Sequence, residues 1–376
     1  SCAGRRCMSG PVVLLAGGGS GGHISPGLAI AEAVKAENPD ATCLFAHSQR
    51  PIDSSMLHQA GQTGFSLPAR PPSLHPTKAL QFMRRFAASR RIAEQRLRED
   101  GVDVVVLLGG FVAAPVAAAA RRVGTPSLLV NLDRVPGRAN RWMRPRATHI
   151  MSAVSTITPF ADDVIGMPIR LAATPPGDAA YCRQALGLDQ ERPTLLVTGA
   201  SQGAGTINRV MPALAAAHRS LLDPWQIVHL AGPGGETDVR DRWRATGMNA
   251  TVLDFRHDMG VLWGCADLVV SRAGACSVAE IEYAGLPAIY LPYPHHRDQH
   301  QRHNAAPGVD AGAAICVEDS MDVDQTQASL AAMASGLLER GDVFQSMQKA
   351  ARARSGLNGS TPVAKMVDAL ARSGGY

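Results

Sequence analysis

Short apolar runs alternate with longer amphipathic segments along most of the chain. Runs of about five apolar residues are typical of strands, whereas longer segments with helical periodicity are typical of helices. This alternation predicts an α/β fold whose parallel sheets are covered by helices on both faces. The predicted strands are Val12–Ala16, Thr42–Ala46, Val104–Leu108, Ser127–Asn131, His149–Val154, Thr194–Thr198, Gln226–Ala231, Thr251–Leu253, Leu268–Ser271, Ala288–Pro292 and Ala314–Val317.

The two halves of the chain open in the same way. VVLLA is followed by the loop GGGSGGH, and TLLVT is followed by the loop GASQGAG and a predicted helix at 206–222. Two tandem Rossmann-like, doubly wound domains explain this repetition. The segment PIRLAATPPGD has neither a long apolar run nor helical periodicity, so it is the expected linker. We therefore expect a loose extension at 1–10, domains at 11–167 and 179–355, a linker at 168–178, and a helix at 356–376 that packs back on the first domain.

Composition narrows the class of protein. Hydrophobic residues make up 45% and charged residues 18% of the chain, which is typical of a soluble globular protein. The net charge of +5 suits an anionic substrate or an acidic membrane surface but is too weak to indicate nucleic acid. Scattered cysteines without a CxxC pair suit a reducing cytosol. The uncharged stretch Val104–Ala120 contains Gly109, Gly110 and Pro115, so it is interpreted as strand, glycine loop and helix, not as a membrane span.

A glycine-rich turn between a strand and a helix can hold a phosphate, because backbone N–H groups and the helix dipole face it. The first turn also fits the dinucleotide fingerprint, but its second strand ends Ala46-His47-Ser48 without the carboxylate that would hold a ribose. Both turns fit the GxSxG pattern of a hydrolase elbow, yet no convincing downstream acid and histidine follow. The sequence therefore favours neither a nicotinamide enzyme nor a serine hydrolase.

Six segments, in order and at matching spacing, resemble the MurG family of glycosyltransferases. They are GGGSGGHISP at 17–26, VPGRANRWM at 135–143, GMPIR at 166–170, SQGA at 201–204, SRAGACSVAEIEYAGLP at 271–287 and PHHRDQHQRHNA at 294–305. Each segment is weakly specific on its own, but the ordered set is strong. The resemblance extends from about Val12 to the C-terminus.

The resemblance implies a GT-B fold, in which two Rossmann-like domains enclose an interdomain cleft. It also implies an inverting enzyme that moves N-acetylglucosamine from UDP-N-acetylglucosamine (UDP-GlcNAc) to the muramoyl 4-hydroxyl of lipid I. Lipid I is undecaprenyl-pyrophosphoryl-MurNAc-pentapeptide, and the product is lipid II of peptidoglycan synthesis. Such an enzyme is cytoplasmic and peripheral on the inner face of the cell membrane, and no cofactor is implied.

Matched residue by residue, the resemblance also implies a donor site. Ser201 and Gln202 contact the diphosphate, and Glu280 accepts hydrogen bonds from the ribose hydroxyls. His300 and Gln301 recognise the sugar hydroxyls. The uracil lies against backbone at 255–259. The complete set of implied UDP-GlcNAc ligands is Ser20, Gly21, Gly22, Asp133, Arg170, Ser201, Gln202, Arg256, Ala275, Glu280, His300 and Gln301.

His23 has functional and structural interpretations. The resemblance makes it essential, either as the catalytic base or as a ligand that places the acceptor and the phosphate. An imidazole can take a hydroxyl proton at neutral pH, and the adjacent helix dipole favours its neutral form. The structural interpretation is a histidine that binds backbone or packs in the cleft. The functional role is favoured, and base against ligand stays open.

Other candidate groups have plain alternatives. Glu280 follows Ser277 at the spacing of a capping box, so it can also cap a helix at 277–284. The segment Asp322-Val323-Asp324 mimics a metal-binding DxD motif but is interpreted as a solvated turn. The four histidines at 294–305 match no zinc pattern, so no metal site is expected.

The segment 77–98 combines apolar and basic residues on one predicted helix. Such a helix suits docking on anionic lipid of the inner leaflet, but an ordinary helix with its apolar side in the core fits equally well. Gly109 and Gly110 correspond to the acceptor-side loop of the family. The candidate membrane and acceptor residues are Leu80, Phe82, Met83, Arg84, Arg85, Phe86, Gly109 and Gly110.

Two departures from the family leave alternatives open. Val130-Asn131-Leu132-Asp133 stands where the family has HEQN, so Asp133 replaces an asparagine expected near the donor sugar. Ser25 stands where the family commonly has an aromatic or apolar residue. A related transferase with a different lipid or sugar acceptor, or a non-catalytic nucleotide-sugar-binding protein, are therefore the rival hypotheses.

Overall fold

The computed structural model describes residues 10–18, 22–71, 76–161, 163–199, 204–256, 258–295 and 299–373. The chain forms two compact units. Unit 1 comprises the residues up to Arg170 together with those from Asn358 onward, and unit 2 comprises Leu171–Leu357. Each unit is built around one parallel sheet, as the alternating pattern predicts.

The sheet of unit 1 has seven parallel strands in the order β3-β2-β1-β4-β5-β6-β7. Its central strands are fully buried because helices cover both faces, which explains their continuous apolar runs. The strands are β1 (Val12–Ala16), β2 (Thr42–Ser48), β3 (Thr63–Leu67), β4 (Val104–Leu107), β5 (Ser127–Asn131), β6 (His149–Ser152) and β7 (Asp163–Val164).

The helices of unit 1 connect these strands and cover the sheet. They are α1 (Ile24–Glu37), α2 (Pro51–Gln59), α3 (Pro76–Glu99), α4 (Gly110–Val123), α5 (Arg138–Met143) and, at the end of the chain, α15 (Ser360–Ser373). Helix α15 packs against α1 and buries Val363, Ala364, Val367 and Leu370. The segment just before α15 is held against the end of the first chain segment of unit 1, since the Asn358 side chain exchanges two hydrogen bonds with the backbone of Ile169.

The sheet of unit 2 has six parallel strands in the order β10-β9-β8-β11-β12-β13. The strands are β8 (Thr194–Thr198), β9 (Gln226–Leu230), β10 (Ala250–Leu253), β11 (Leu268–Ser271), β12 (Ala288–Tyr290) and β13 (Ala314–Cys316). The helices are α6 (Ala179–Ala185), α7 (Gly205–Ala217), α8 (Arg219–Leu222), α9 (Glu236–Ala245), α10 (Met259–Cys265), α11 (Ala275–Tyr283), α12 (His300–Asp310), α13 (Val323–Leu338) and α14 (Asp342–Ala353). Three tryptophans, Trp225, Trp243 and Trp263, are fully buried in this unit.

Every strand predicted from the sequence is present, with ends that differ by at most two residues. The prediction missed β3 and β7. Strand β3 contains Gly64, is mostly exposed and lies at the sheet edge, so it lacks an apolar run. Strand β7 has only two residues, both exposed. The predicted helix at 206–222 is two helices, because α7 ends at Ala217 and α8 begins at Arg219.

The uncharged stretch Val104–Ala120 forms β4, a glycine turn and the first part of α4, so its interpretation is confirmed. Pro115 lies inside α4. In the described part of the chain, no helix combines the length and the hydropathy that crossing a membrane requires.

Candidate active site

The strand order of each sheet reverses once, and the chemistry-bearing loops lie at these two points. In unit 1 the reversal falls between β1 and β4, which are followed by Gly17-Gly18 and by Gly109-Gly110. In unit 2 it falls between β8 and β11, and the loop 272–274 follows β11. Ligands of open α/β sheets bind at the carboxyl ends of the strands at such a reversal.

His23 lies at the N-cap position of α1, where its carbonyl accepts a hydrogen bond from Gly27 N at 3.2 Å. Its imidazole faces the glycine turn after β4. A Cβ placed on Gly109 would lie 3.3 Å from His23 Nε2, and one on Gly110 would lie 3.3 Å from His23 Cε1. The fold therefore brings together the predicted catalytic histidine and the predicted acceptor-side loop.

The backbone conformation restricts both positions of this turn to glycine. Gly109 has φ of 103° and Gly110 has φ of 75°, a region that favours glycine. A Cβ on Gly109 would also lie 2.8 Å from Oδ1 of Asn140. The absence of side chains at 109 and 110 thus leaves the room that the His23 ring occupies.

Burial governs the charge state of His23. It lowers the pKa of His23 below the usual 6.5, and the nearby carboxylates of Asp133 and Asp53 partly oppose this by raising it. Desolvation by burial thus favours the neutral form, in the same direction as the dipole of α1. Nδ1 of His23 is buried and has no hydrogen-bond partner among the described residues. The imidazole is therefore neutral at pH 7 and able to accept a proton.

A buried amide network, which sequence reasoning missed, lies beside His23. Asn131 at the end of β5 is fully buried and donates to Ser152 Oγ at 2.9 Å and to the Asp133 carbonyl at 2.8 Å. Asn140 of α5, also buried, donates to Asn131 Oδ1 at 3.0 Å. The network fixes the backbone of Asp133. The signal in the sequence was an asparagine closing an otherwise apolar strand.

Asp53 is a second residue that the sequence analysis did not select. It lies in the first turn of α2 and is fully buried. Its Oδ2 accepts hydrogen bonds from Ser48 Oγ at 2.6 Å and from Ser48 N at 3.3 Å. The end of β2 therefore does have a carboxylate beside it, but that group comes from the next helix and is shielded from a ligand.

Arg170 ends the first of the two chain segments of unit 1 and forms an ion pair with Glu32 of α1, with Nε 3.4 Å from Oε1. Both side chains are partly exposed. Arg170, one of the implied UDP-GlcNAc ligands, is therefore held against α1. Gly22 immediately precedes His23, whereas Ser20, Gly21, Ser201 and Gln202 lie outside the described residues.

In unit 2, Glu280 contacts a buried indole. Trp263 Nε1 of α10 donates to Glu280 Oε2 at 3.0 Å. Helix α11 begins at Ala275 with Gly274 as its N-cap, and no side chain caps it. The capping alternative for Glu280 is therefore wrong, because Glu280 lies in the middle of the helix and Ser277 in its first turn.

The loop that leads to Ala275 is shaped by buried polar contacts. Arg272 is buried, donates from Nη1 to the Leu291 carbonyl at 2.7 Å and pairs with Asp319 at 2.7 Å. Asn304 Nδ2 donates to the Ala273 carbonyl at 3.1 Å. These contacts fix the backbone just before Ala275, the first residue of α11.

Three other predicted donor residues also lie in unit 2. Arg256 forms a two-point ion pair with Asp258, and that carboxylate raises the pKa of the guanidinium. His300 is exposed at the start of α12. Gln301 Oε1 accepts a hydrogen bond from Tyr293 N at 2.8 Å. His257 and residues 296–298, within the predicted uracil and histidine segments, lie outside the described residues.

The DxD-like segment has a structural role. Asp322 is the N-cap of α13, and its side chain accepts a hydrogen bond from Gln325 N at 2.9 Å. Residue 322 thus ends a loop and begins a helix, which refines the interpretation as a solvated turn. Across the described ranges, no three histidine, cysteine or acidic side chains cluster in a way that could hold a metal ion.

Helix α3 divides into an exposed and a buried part. Leu80 is 48% and Met83 59% exposed, whereas Ser89, Ala93 and Leu97 further along are buried. The structural alternative, in which the apolar residues of this helix face the core, is therefore wrong for Leu80 and Met83. The Phe86 ring meets Trp142 of α5 edge-on at 5.8 Å, and Phe82 lies 6.0 Å from Phe86.

Several arginines lie on or directly after the two helices that form this apolar patch. Arg84, Arg138, Arg141 and Arg144 are exposed, and Arg85 is partly exposed. Arg146 stacks on Trp142 with 3.9 Å from its guanidinium carbon to the ring centroid. Within the described residues, the arginines of α3 that form ion pairs are Arg90 and Arg96, not Arg84 or Arg85. The patch is defined by Leu80, Phe82, Met83, Phe86 and Trp142, and at least one arginine, Arg146, contacts it directly.

Comparisons with known proteins agree with this organisation. Residues 13–152 match the glycosyltransferase family 28 N-terminal domain, and residues 194–358 match the glycosyltransferase family 28 C-terminal domain. A Cutibacterium acnes protein is 35% identical over 354 residues, which cover 90% of this chain and 92% of that protein. One from Desulfitobacterium hafniense is 33% identical over 354 residues, or 90% of this chain and 94% of that protein. Both are named UDP-N-acetylglucosamine--N-acetylmuramyl-(pentapeptide) pyrophosphoryl-undecaprenol N-acetylglucosamine transferase.

Solved structures share the fold. The crystal structure of MurG from Acinetobacter baumannii matches with a TM-score of 0.72 and 24% identity, covering 96% of this chain and 99% of that one. A UDP-glucosyltransferase from Polygonum tinctorium matches with a TM-score of 0.67 and 16% identity, covering 96% and 99% of the two chains. The GT-B architecture predicted from the sequence is therefore confirmed.

Proposed function

Because this chain belongs to glycosyltransferase family 28, we propose that it transfers N-acetylglucosamine from UDP-GlcNAc to the muramoyl 4-hydroxyl of lipid I, forming lipid II for peptidoglycan. One observation carries the proposal. The identity of 35% to a transferase named for this reaction extends over 354 residues and therefore through both units. The buried, neutral histidine beside a glycine turn supports it, since the reaction needs a proton acceptor.

The proposed reaction inverts the anomeric carbon. The 4-hydroxyl oxygen of the acceptor bonds to that carbon, and the bond from the carbon to the diphosphate oxygen breaks, with its electron pair leaving on UDP. The hydroxyl proton moves to an imidazole nitrogen of His23 and then to solvent. General base catalysis of this kind contributes roughly 10²–10⁴ in rate.

The donor is proposed to bind through unit 2. Glu280 accepts the ribose hydroxyls while Trp263 N–H holds one of its oxygens, which fixes the direction of the carboxylate. Ala275, at the start of α11, offers its backbone to the sugar, and His300 and Gln301 read the sugar hydroxyls. The uracil is proposed against 255–259, where the ion pair with Asp258 fixes Arg256. Ser20, Gly21, Gly22, Asp133, Arg170, Ser201 and Gln202 complete the proposed ligand set.

Docking on the inner face of the cell membrane is proposed for the patch on α3 and α5. Exposed apolar side chains such as Leu80, Met83 and Trp142 can enter the interfacial layer of a bilayer. The arginines on or directly after these helices are attracted to anionic lipid. This arrangement suits a cytoplasmic, peripheral protein whose acceptor, lipid I, is anchored in the membrane, with Gly109 and Gly110 proposed to face that acceptor.

The proposal is tested by lipid-dependent turnover. Purified protein is mixed with UDP-GlcNAc labelled in the sugar and with lipid I in vesicles that contain anionic lipid. We expect release of UDP and transfer of label to the lipid, both only when lipid I is present. UDP-GlcNAc binding without transfer to lipid I would contradict the proposal. Transfer to a different lipid or sugar acceptor in parallel reactions would identify a related transferase instead.

A further inference from the structure

His23 combines burial with a need for charge. A histidine that accepts a proton becomes an imidazolium, and burial disfavours that form. The ring is enclosed by Gly17, Gly109 and Gly110, each of which would place a Cβ within 3.3 Å of a His23 side-chain atom. Backbone glycines and the amide of Asn140 supply no negative charge. The site therefore requires some other group to stabilise the protonated ring.

Asp53 supplies one negative charge from behind the first glycine turn. A Cβ on Gly18 would lie 2.5 Å from Asp53 Oδ2, so the carboxylate touches the turn directly. Gly18 in turn touches the other wall of the His23 site, because its carbonyl lies 3.1 Å from a Cβ placed on Gly110. The two hydrogen bonds from Ser48 hold the carboxylate in this place.

Asp133 supplies a second charge from the loop after β5. Its backbone carbonyl is clamped by Asn131, and Asn131 is held by Asn140 and Ser152. The same Asn140 amide also lies beside Gly109. A Cβ placed on Gly109 would lie 2.8 Å from Asn140 Oδ1 and 3.3 Å from His23 Nε2. One buried network thus fixes both the Asp133 loop and a wall of the His23 site.

The chemistry of these two groups favours a cation over an anion. Opposite charges attract strongly in a site of low polarity. The two carboxylates therefore stabilise an imidazolium. Among the described residues, Asp133 and Asp53 are the charged groups that act on His23, and both raise its pKa against the effect of burial.

We propose that Asp53 and Asp133 are positioning residues that stabilise the protonated form of His23 while it holds the proton of the attacking hydroxyl. This rests on the proposed transfer reaction, in which that proton moves from the acceptor oxygen to the imidazole as the new glycosidic bond forms. Asp133 then acts through His23, in addition to or in place of contacting the donor sugar.

The experiment measures the titration of His23 directly, without substrates, by NMR of protein with labelled histidine. The His23 signal is assigned from its loss in His23→Gln. Asp133→Asn and Asp53→Asn remove one charge each at nearly constant shape. We expect the His23 titration to move to lower pH in both variants and further in the double variant. Asp103→Asn is the matched control, because Asp103 accepts from Val12 N at the opposite end of β1.

Kinetics provide the second measurement. The acid limb of kcat/KM reports the pKa of the free enzyme's base, so it should move to lower pH in parallel with the NMR titration. The plateau should fall by less than the roughly 10²–10⁴ that loss of the base itself costs. Thermal unfolding shows whether each variant is folded, and if Asp53→Asn is not, Asp133→Asn on its partly exposed loop decides the question.

The outcomes separate this inference from the proposed function. An unchanged His23 titration in both folded single variants would overturn it. An unchanged titration in Asp133→Asn together with a raised KM for UDP-GlcNAc would overturn it for Asp133 and make that residue a donor contact. Shifted His23 titrations in the variants, together with no lipid-I-dependent turnover by the wild type, would support the electrostatic role and reject the transfer reaction.

Discussion

The indole of Trp263 donates a hydrogen bond of 3.0 Å to the carboxylate of Glu280, and so connects α10 to α11. The first prediction concerns this contact. Trp263→Phe keeps Glu280 but removes the hydrogen bond that fixes the direction of its carboxylate. We expect KM for UDP-GlcNAc to rise about 2- to 10-fold, as loss of a hydrogen bond worth roughly 0.5–1.5 kcal/mol implies, with a smaller change in kcat.

Trp225→Phe is the matched control for this variant. Trp225 is equally buried in unit 2, but its indole donates at 2.8 Å to the carbonyl of Leu338, the last residue of α13, and not to a proposed donor residue. Both variants should lower the melting temperature, but only Trp263→Phe should weaken UDP binding in calorimetry. Equal effects of the two variants on UDP affinity would show that the Trp263 contact is structural.

The second prediction concerns the glycine turn after β4. In Gly109→Ala the new Cβ would lie 2.8 Å from Asn140 Oδ1 and 3.3 Å from His23 Nε2, at a φ of 103°. We expect turnover to fall by at least tenfold, because the His23 ring must shift. Gly124→Ala, at the C-cap of the same helix with φ of 86° and no atom within 4 Å, should cost about 1 kcal/mol of stability and leave turnover unchanged. Equal turnover in the two variants would show that the turn does not shape the site.

The third prediction decides between the two roles of His23. If His23 is the catalytic base, the His23→Gln variant should lose roughly 10²–10⁴ in kcat with little change in KM. The acid limb of its pH profile should also disappear. In the wild type that limb should lie below pH 6.5, because burial lowers the pKa of His23 and the neutral form persists to lower pH. A raised KM for lipid I with near-normal kcat would instead identify His23 as an acceptor ligand.

The sequence predicted the strands well because both sheets are parallel and buried. Central strands such as β1, β4 and β8 are continuous apolar runs between glycine-rich loops, so composition identifies them. Edge strands lack that signal, which is why Thr63–Leu67 was missed. The local apolar pattern thus predicted the central strands of both sheets but not all of the edge strands.

The candidate site divides in the same way. His23, Gly109 and Gly110 were found because they lie in recognisable loops. Asp53 and Asn140 were missed because their importance comes from contacts between distant segments, which no local spacing encodes. Glu280 shows the converse, since Ser277 and Glu280 had capping-box spacing but the helix begins two residues before Ser277, at Ala275.

The fourth prediction concerns the apolar patch on α3. Leu80→Ser combined with Met83→Ser removes two exposed apolar side chains and should weaken binding to anionic vesicles several-fold, at little cost to stability. Charge reversal of Arg84 and Arg85 to Glu should weaken it further and make the residual binding less sensitive to salt. Ile92→Ser is the control, since Ile92 is 37% exposed on the same helix but outside the patch. Unchanged vesicle sedimentation in all variants would remove the docking role.

The last prediction concerns a buried histidine of unit 2 that the transfer reaction does not use. His229 in β9 accepts from Trp243 Nε1 at 3.0 Å through Nδ1, so its Nε2–H donates to Asn208 Oδ1 at 3.1 Å. The bond from Trp243 requires the neutral ring, because a protonated Nδ1 cannot accept, and burial lowers the pKa of His229 to about 3. His229→Leu leaves the Trp243 donor unpaired, so we expect a loss of at least the roughly 1–3 kcal/mol that one buried unpaired group costs at pH 7.

The pH dependence of this effect follows from linkage. Below pH 6.5 the unfolded chain binds a proton at His229 while the folded chain does not, so the stability of the wild type falls as pH drops from 6.5 toward about 3. Urea unfolding followed by tryptophan fluorescence at several pH values should show that this slope is smaller in His229→Leu. His149→Gln is the control, because His149 is partly exposed and lies in unit 1. An identical slope in wild type and His229→Leu would mean that His229 is protonated in the folded chain, which the hydrogen bond accepted from Trp243 does not allow.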